Sequence, residues 1–463
     1  MGIRGAARQQ LALAFGLVVV NLLFASGAIA QTLEQSLAAA YINNPVLNAQ
    51  RAATRAVDEK VPQAISGFRP QVFAGADAGV SWSRTRPRIG PTVSGTVHTY
   101  DYGLTVTQNV FNGFITINTT RSAEAQVLGA RETLRNTEQN VLLDAVISYM
   151  GVVRDTAIVE LQRQNVEALR EQLRATRDRF DVGELTRTDV AQSEARLALA
   201  ESQLIAANAA LNASRAAFRR DIGVDPRRLT PARTVEHLVP KSLDASIAAS
   251  ENQHPAIAAA RHGVDVASLQ VKVAEGALLP VVSLEGTVSR AHDPSLAVDL
   301  QSSASIFGRL TVPLYQGGGE YSRVRESKET LGQRRLEADV ARDDVRAAVV
   351  QSFGLLNASR FQVEAAQAQV NAAQIALNGV QEEYRVGQRT TLDVLNAQAE
   401  LVNARSLLIT AQRDRVVNSY SLLSAIGRLN SEFLRLNVQA YAPETHYNQV
   451  RDSWFGVRTP DGR

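Results

Sequence analysis

The 463-residue chain is 45% hydrophobic and 21% charged, with 49 Lys and Arg against 46 Asp and Glu. That balance lacks the basic excess by which nucleic acid is held, and with no cysteine the chain has neither disulfides nor a lipidated N-terminal cysteine. The six histidines, at positions 98, 237, 254, 262, 292 and 446, show no metal-ligand spacing, so no metal, cofactor or catalytic centre is expected.

Residues 1–30 read as a secretory signal peptide. Arg4 and Arg8 precede an apolar run from Leu11 to Phe24, and Ala28-Ile29-Ala30 supplies a small-x-small cleavage site before Gln31. An anchoring helix is the competing reading, but the run is short for one. No later stretch reaches the roughly 20 apolar residues of a transmembrane helix, so an exported chain that enters a membrane does so with strands.

Residues 31–223 form a first repeat. Over 71–82 the even positions Val72, Ala74, Ala76, Ala78, Val80 and Trp82 make an apolar face, and over 99–110 Tyr100, Tyr102, Leu104, Val106 and Val110 do the same. Length and period suit membrane β-strands, although a soluble sandwich gives similar alternation. The polar stretch from Ser83 to His98 reads as a hairpin tip. A helix over 114–179 follows, then the turn Val182-Gly183-Glu184-Leu185 and a return helix over 187–222. No proline occurs between Pro91 and Pro226; since proline costs a helix interior about 3 kcal/mol, this permits a first helix of roughly 100 Å at about 1.5 Å per residue.

A Pro-rich linker over 224–242 leads into a second repeat, 243–427. Leu33, Pro45, Arg51 and Pro70 meet Leu243, Pro255, Arg261 and Pro280 at an offset of 210. After the strands the offset is 204, pairing Gly113, Arg121, Val141 and Ser148 with Gly317, Arg325, Val345 and Ser352. Two tandem copies of this size imply two similar substructures. The second copy predicts strands at 281–289 and 303–314, a polar loop over 290–302, and helices at 318–383 and 391–427 around Val386-Gly387-Gln388-Arg389. Leu197, Leu204, Leu211 and Phe218 recur every seventh residue on one return helix, and Leu395, Val402, Ile409, Val416 and Leu423 on the other, the mark of coiled-coil packing. Residues 428–463 read as a C-terminal segment ending in a flexible tail. Four strands cannot close a barrel, and an edge exposed to lipid costs several kcal/mol per unsatisfied backbone group, so membrane insertion requires oligomerisation.

The duplication, the junctions Val110-Phe111-Asn112-Gly113 and Leu314-Tyr315-Gln316-Gly317-Gly318, and the string Tyr384-Arg385-Val386-Gly387-Gln388-Arg389-Thr390-Thr391-Leu392-Asp393-Val394-Leu395 resemble the TolC-type outer-membrane channels. The resemblance covers essentially the whole mature chain. It implies an α+β membrane protein built from a duplicated strand-strand-long-helix-hairpin unit. Three chains would form a 12-stranded outer-membrane β-barrel continued by a periplasmic α-helical coiled-coil barrel. It further implies a non-enzymatic exit duct for drugs, toxic small molecules or secreted proteins in the outer membrane of a Gram-negative bacterium. Expected partners are outer-membrane lipid, a periplasmic adaptor and an inner-membrane RND or ABC-type pump.

By the same resemblance the hairpin tips form the periplasmic entrance. Asp393 would supply an acidic ring that favours cations, and Asn396 stands where the family has a second such ring. Asp393 can also simply complement the positive N-terminal end of its helix, and the two roles are compatible. A latch is implied between Thr188 and Asp189 on one hairpin and Tyr384 and Arg389 on the other, with Val182, Gly183, Val386 and Gly387 as the adaptor-docking turns. The competing function is a periplasmic coiled-coil adaptor or scaffold without a pore, which has no reason to duplicate a strand-hairpin unit.

Overall fold

The computed structural model describes residues 31–462, so the expected signal peptide at 1–30 lies outside the described residues. Two short helices, α1 (Leu33–Asn43) and α2 (Pro45–Asp58), are followed by α3 (Lys60–Ile65), strands β1 (Gln71–Thr85) and β2 (Val93–Asn112), and helices α4 (Ile115–Asp181) and α5 (Arg187–Ile222). The order then recurs: α6 (Leu243–Gln253), α7 (Pro255–Gly276), β3 (Val281–Ser295), β4 (Val298–Thr311), α8 (Gly319–Arg385) and α9 (Thr391–Ala425), with α10 (Pro443–Val450) at the end. The helices before each strand pair are additions to the elements expected from the sequence. Equivalent side chains open α2 and α7. Asn44 Oδ1 accepts from the amides of Val46 (2.8 Å) and Leu47 (3.3 Å), and His254 Nδ1 accepts from that of Ala256 (3.2 Å), filling donors that a first helical turn leaves open.

The chain divides into two compact units. One comprises residues 49–136, 251–346 and 441–463 and holds all four strands. They form one antiparallel sheet in the order β1-β2-β3-β4, so the β2-β3 pairing joins the two repeats: Tyr102 lies opposite Arg290 and Leu104 opposite Val288. The strands run further than alternation suggests. Backbone pairing carries Ala291 to Gln301 and His292 to Leu300, so most of 290–302, expected as a loop, is strand. A cross-strand partner satisfies the backbone whether or not the side chains alternate. At its other end β4 stops at Thr311 rather than at 314, just short of Pro313, which has no amide to donate to a ladder.

At the strand-to-helix junctions Gly113 and Phe114 both have positive φ, as do Gly317 and Gly318 at the matching positions of the second repeat. Phe114 therefore holds a left-handed conformation (φ 63°) that the second repeat assigns to glycine, and its ring meets that of Phe111 edge-on at 5.1 Å. Gly113 is further constrained: a Cβ there would come within 2.2 Å of the Gly276 carbonyl oxygen. In the same unit the C-terminal segment lies on α2 and the start of α4. Tyr447 receives the Arg131 guanidinium over its ring (5.3 Å), Trp454 receives that of Arg69 (4.6 Å), and His446 Nδ1 stands 3.0 Å from the buried Asp58 carboxylate. A tail was expected to be flexible here, but helix α10 and these contacts tie it down at least to Trp454.

The other unit, comprising among the described residues 31–48, 137–250 and 347–440, is helical. Its core joins Leu37 of α1, Leu142 and Tyr149 of α4, Phe218 and Ile222 of α5, and Leu422 and Leu423 of α9, all essentially inaccessible. Tyr149 is too polar to be buried unpaired, and its hydroxyl donates to the carbonyls of Thr230 (2.7 Å) and Gln31 (3.0 Å). Glu236 in the linker between repeats receives Arg415 Nε (2.8 Å) and Arg360 Nη2 (2.9 Å), fastening that linker to both helices of the second hairpin.

Candidate functional site: the paired hairpin tips

Both hairpin tips belong to the helical unit, and each is built the same way. The helix α4 ends in a glycine with φ 84°: the Gly183 amide donates to Phe180 O and the Glu184 amide to Arg179 O, at 2.9 Å each. Gly387 (φ 78°) and Gln388 repeat the pattern onto Tyr384 O and Glu383 O. Glycine is needed here because a Cβ opposes the left-handed turn that satisfies the last carbonyls. The flanking Val182 and Val386 are 72% and 71% exposed, which leaves both apolar tips available to a partner.

Each return helix then begins with a capping box. The Thr186 hydroxyl accepts from the Asp189 amide at 3.3 Å, while Asp189 Oδ2 accepts from the Thr186 amide at 3.0 Å. Thr390 and Asp393 do the same at 3.3 and 2.9 Å. These bonds favour the ionised carboxylates. The Thr390 backbone amide, with its hydroxyl second, holds Asp393 below the usual range, and the Thr186 hydroxyl leads the same effect on Asp189. Asp393 thus has the helix-terminus role expected of it, and it remains half-buried and charged.

The structure places the anticipated latch residues individually. Asp189 and Tyr384 flank Thr391, a side chain only 1% exposed whose hydroxyl is 3.4 Å from Tyr384 Oη and hydrogen-bonded to Asp189. The guanidinium of Arg179 sits 5.2 Å from the Tyr384 ring centroid, a second tie between hairpins. Arg389 does not join them: its Nε donates to Glu383 on its own hairpin at 2.7 Å. Thr188 is exposed, without a side-chain hydrogen bond among the described residues.

One link went unanticipated. Arg196 Nη2 donates to Asn396 Oδ1 at 2.7 Å, from α5 to α9. A signal for it existed, because Arg196 and Asn396 adjoin Leu197 and Leu395, seam positions that share one apolar cluster with Val166 and Ala200. Side chains beside a coiled-coil seam are placed to pair across it.

The same tip is formed twice in the chain, each copy at the end of a helix of 67 residues. The model of the family described as outer membrane efflux protein matches residues 37–224 and 247–428, most of both repeats. The chain belongs to that family. It is 43% identical over 457 residues to the outer membrane efflux protein BepC of Brucella suis biovar 1 (strain 1330), covering 98% of each chain. It is 27% identical over 427 residues to the outer membrane protein TolC of Escherichia coli (strain K12), covering 89% of this chain and 85% of that one. The fold is that of the Campylobacter jejuni CmeC outer membrane channel, with a TM-score of 0.77 at 17% identity over 91% of this chain and 89% of that one. Members of the outer membrane efflux protein family with this fold are mostly helical, with a small share of strand, and they are channels.

Proposed function

We propose that this protein is the outer-membrane exit duct of a tripartite efflux or secretion system in a Gram-negative bacterium. The observation that carries the reading is the sheet: an apolar, exposed face on four strands, with β1 and β4 each lacking a partner on the outer side among the described residues, whose other elements are helices. Three copies that pair β4 with the next β1 close a 12-stranded barrel and leave no edge. The helices argue for the same assembly, since Ile205, Phe361 and Ile375 are 71%, 71% and 73% exposed in the single chain and a second copy would cover them. Among the described residues no helix is long and apolar enough to cross a membrane, which leaves the strands to do so.

In this reading the paired tips are the periplasmic gate. Asp393 from three chains forms a single acidic ring, Asn396 contributes no charge to it, and cation preference is correspondingly modest. Asp189, Thr391, Tyr384 and Arg179 hold the two hairpins together, and Arg389 orders its own turn through Glu383. Val182, Gly183, Val386 and Gly387 are the surface on which a periplasmic adaptor docks, coupling the duct to an inner-membrane pump of the RND or ABC type. Opening requires only that the adaptor bind splayed tips better than closed ones. The decisive experiment is membrane fractionation followed by electrophoresis with and without heating. A heat-modifiable trimer in the outer membrane that conducts ions in planar bilayers supports the duct; a soluble periplasmic species rejects it.

A further inference from the structure

The sheet separates its charges by face. In the paired register even-numbered residues lie opposite even-numbered ones, so one face carries Ala76, Tyr102, Arg290 and Ser302 in a row and the other carries Gly75, Gly103, Ser289 and Ser303. All three acids of that register, Asp77, Asp101 and Glu285, fall on the odd face, where Glu285 is bonded to Arg309 at 3.3 Å. The even face is apolar and carries only cationic or titratable basic groups: Arg84, His98, Arg290 and His292. Arg290 has no ion pair or hydrogen-bonded side-chain partner among the described residues, whereas the helical arginines Arg135, Arg163, Arg323 and Arg334 each pair with an acid three residues away. An arginine left unpaired on an apolar face is costly in a bilayer unless it meets an anion there.

Arg290 also has an open groove beside it. A cleft of about 850 Å³ opens between the row of Leu104 and Val288 and the row of Tyr102 and Arg290, floored by glycine and serine backbone. It is an open groove rather than an enclosed pocket, with Tyr102, Leu104 and Val288 along it 49%, 46% and 61% exposed. One register step beyond, Tyr100 stacks on His292 with centroids 4.5 Å apart and planes at 13°, closing the side away from the β2–α4 junction. From Val110 to this aromatic pair the even face spans about the 9–11 residues that a tilted strand needs to cross a bilayer. Arg290 therefore stands where hydrocarbon gives way to headgroups, in the leaflet farther from the β2–α4 junction.

We infer that this cleft is a binding site for a phosphate-bearing lipid of the outer leaflet, with an acyl chain lying along Leu104 and Val288 and the phosphate on the Arg290 guanidinium. The inference rests on the membrane reading of the sheet proposed above. Charge complementarity selects this occupant: a zwitterionic lipid brings its own cation beside Arg290, and a fatty chain alone leaves the guanidinium unpaired. Planar guanidinium and phosphate match through paired hydrogen bonds, and the neighbouring Tyr102 suits an interfacial position.

The test uses the purified full-length trimer, stripped of lipid in detergent and examined by native mass spectrometry with added diphosphoryl lipid A, with phosphatidylcholine, or with inorganic phosphate. The wild type should retain lipid A in preference to phosphatidylcholine, and Arg290→Gln should weaken that retention about tenfold, the range of a lost charge-assisted bond. Arg309→Gln, on the opposite face, should retain it normally. Equal lipid A retention by wild type and Arg290→Gln, or binding of inorganic phosphate as tightly as lipid A, overturns the site while leaving the heat-modifiable trimer and the duct intact. A wild type that is neither trimeric nor able to bind either lipid overturns the membrane reading itself.

Discussion

Arg196 on the first return helix donates its Nη2 proton to Oδ1 of Asn396 on the second, at 2.7 Å, and so ties the two hairpins of one chain close to their tips. Both side chains are near water, so their bond contributes little to stability, about 0.5–1.5 kcal/mol. Its consequence is for the balance between closed and splayed tips. Asn396→Ala or Arg196→Ala is expected to raise single-channel conductance in planar bilayers while the thermal transition stays nearly unchanged, and the double variant should add nothing further. Additive increases in conductance would show that the two residues act separately.

Asp393 offers a separation of cap from charge. Asp393→Asn keeps an acceptor for the Thr390 amide, so the helix start is retained, but the proposed ring loses its charge. Reversal potentials in a salt gradient should move toward non-selectivity. In the wild type, the Thr390 amide holds the carboxyl below its ordinary range, so cation preference should be constant from pH 7 down through pH 5 and fade only in stronger acid. By contrast Thr390→Ala removes the cap itself, at about 1 kcal/mol of helix stability.

Burial lowers His254 to about 4, well below the ordinary imidazole range. A histidine whose folded pKa lies below its unfolded one contributes stability that is complete above pH 6.5 and is lost as pH falls toward 4. The loss is on the order of 3 kcal/mol and accompanies protonation of the nitrogen that accepts the Ala256 amide. His254→Asn, which copies the cap at Asn44, should flatten the dependence of melting temperature on pH between 6.5 and 4. An unchanged slope in that variant would place the acid sensitivity elsewhere.

Asp58 is 1% exposed and burial raises its pKa, with the hydrogen bond from His446 as the largest opposing effect. Removing that partner by His446→Ala leaves a buried carboxyl short of a bond, a loss of about 1–3 kcal/mol. Since Tyr447 on Arg131 and Trp454 on Arg69 hold the same segment, limited proteolysis should cut the variant within 441–454 well before the wild type. Asp58→Asn combined with His446→Ala should recover part of the protection.

Gly113→Ala should fail to assemble. Its Cβ would meet the Gly276 carbonyl at 2.2 Å in a left-handed conformation, and neither backbone can yield without displacing β2 from α4. Gly317→Ala meets nothing within 4 Å and should bear only the conformational cost, so the two equivalent glycines are expected to differ in trimer yield by gel analysis.

Much of the site was legible because tips are local. The glycine at the end of a helix and the threonine three residues before an aspartate encode a turn and a cap through contacts a few residues apart, so Gly183, Gly387, Asp189 and Asp393 could be picked out beforehand. Contacts between hairpins were not legible in the same way. Arg389 was expected to reach the first hairpin, yet Glu383, six residues away on the same hairpin, takes its Nε. Arg196 and Asn396 are 200 positions apart, and the seam beside them is the one sequence signal that brings them close.

The sequence by itself determined the periodic parts of this protein. Alternation specified which strand faces are apolar, unbroken proline-free stretches permitted the long helices, and the correspondence between copies, at offsets of 210 and then 204, required the order of elements to recur. Tertiary structure decided what periodicity does not encode. It paired β2 with β3 so that Arg290 stands beside Tyr102, it settled Asp189 near Thr391 and Arg389 on Glu383, and it drew His446 onto Asp58 from 388 positions away. The physical reason is range: propensity and capping act within a few residues, whereas register and side-chain partners depend on which surfaces meet after the chain has been brought together.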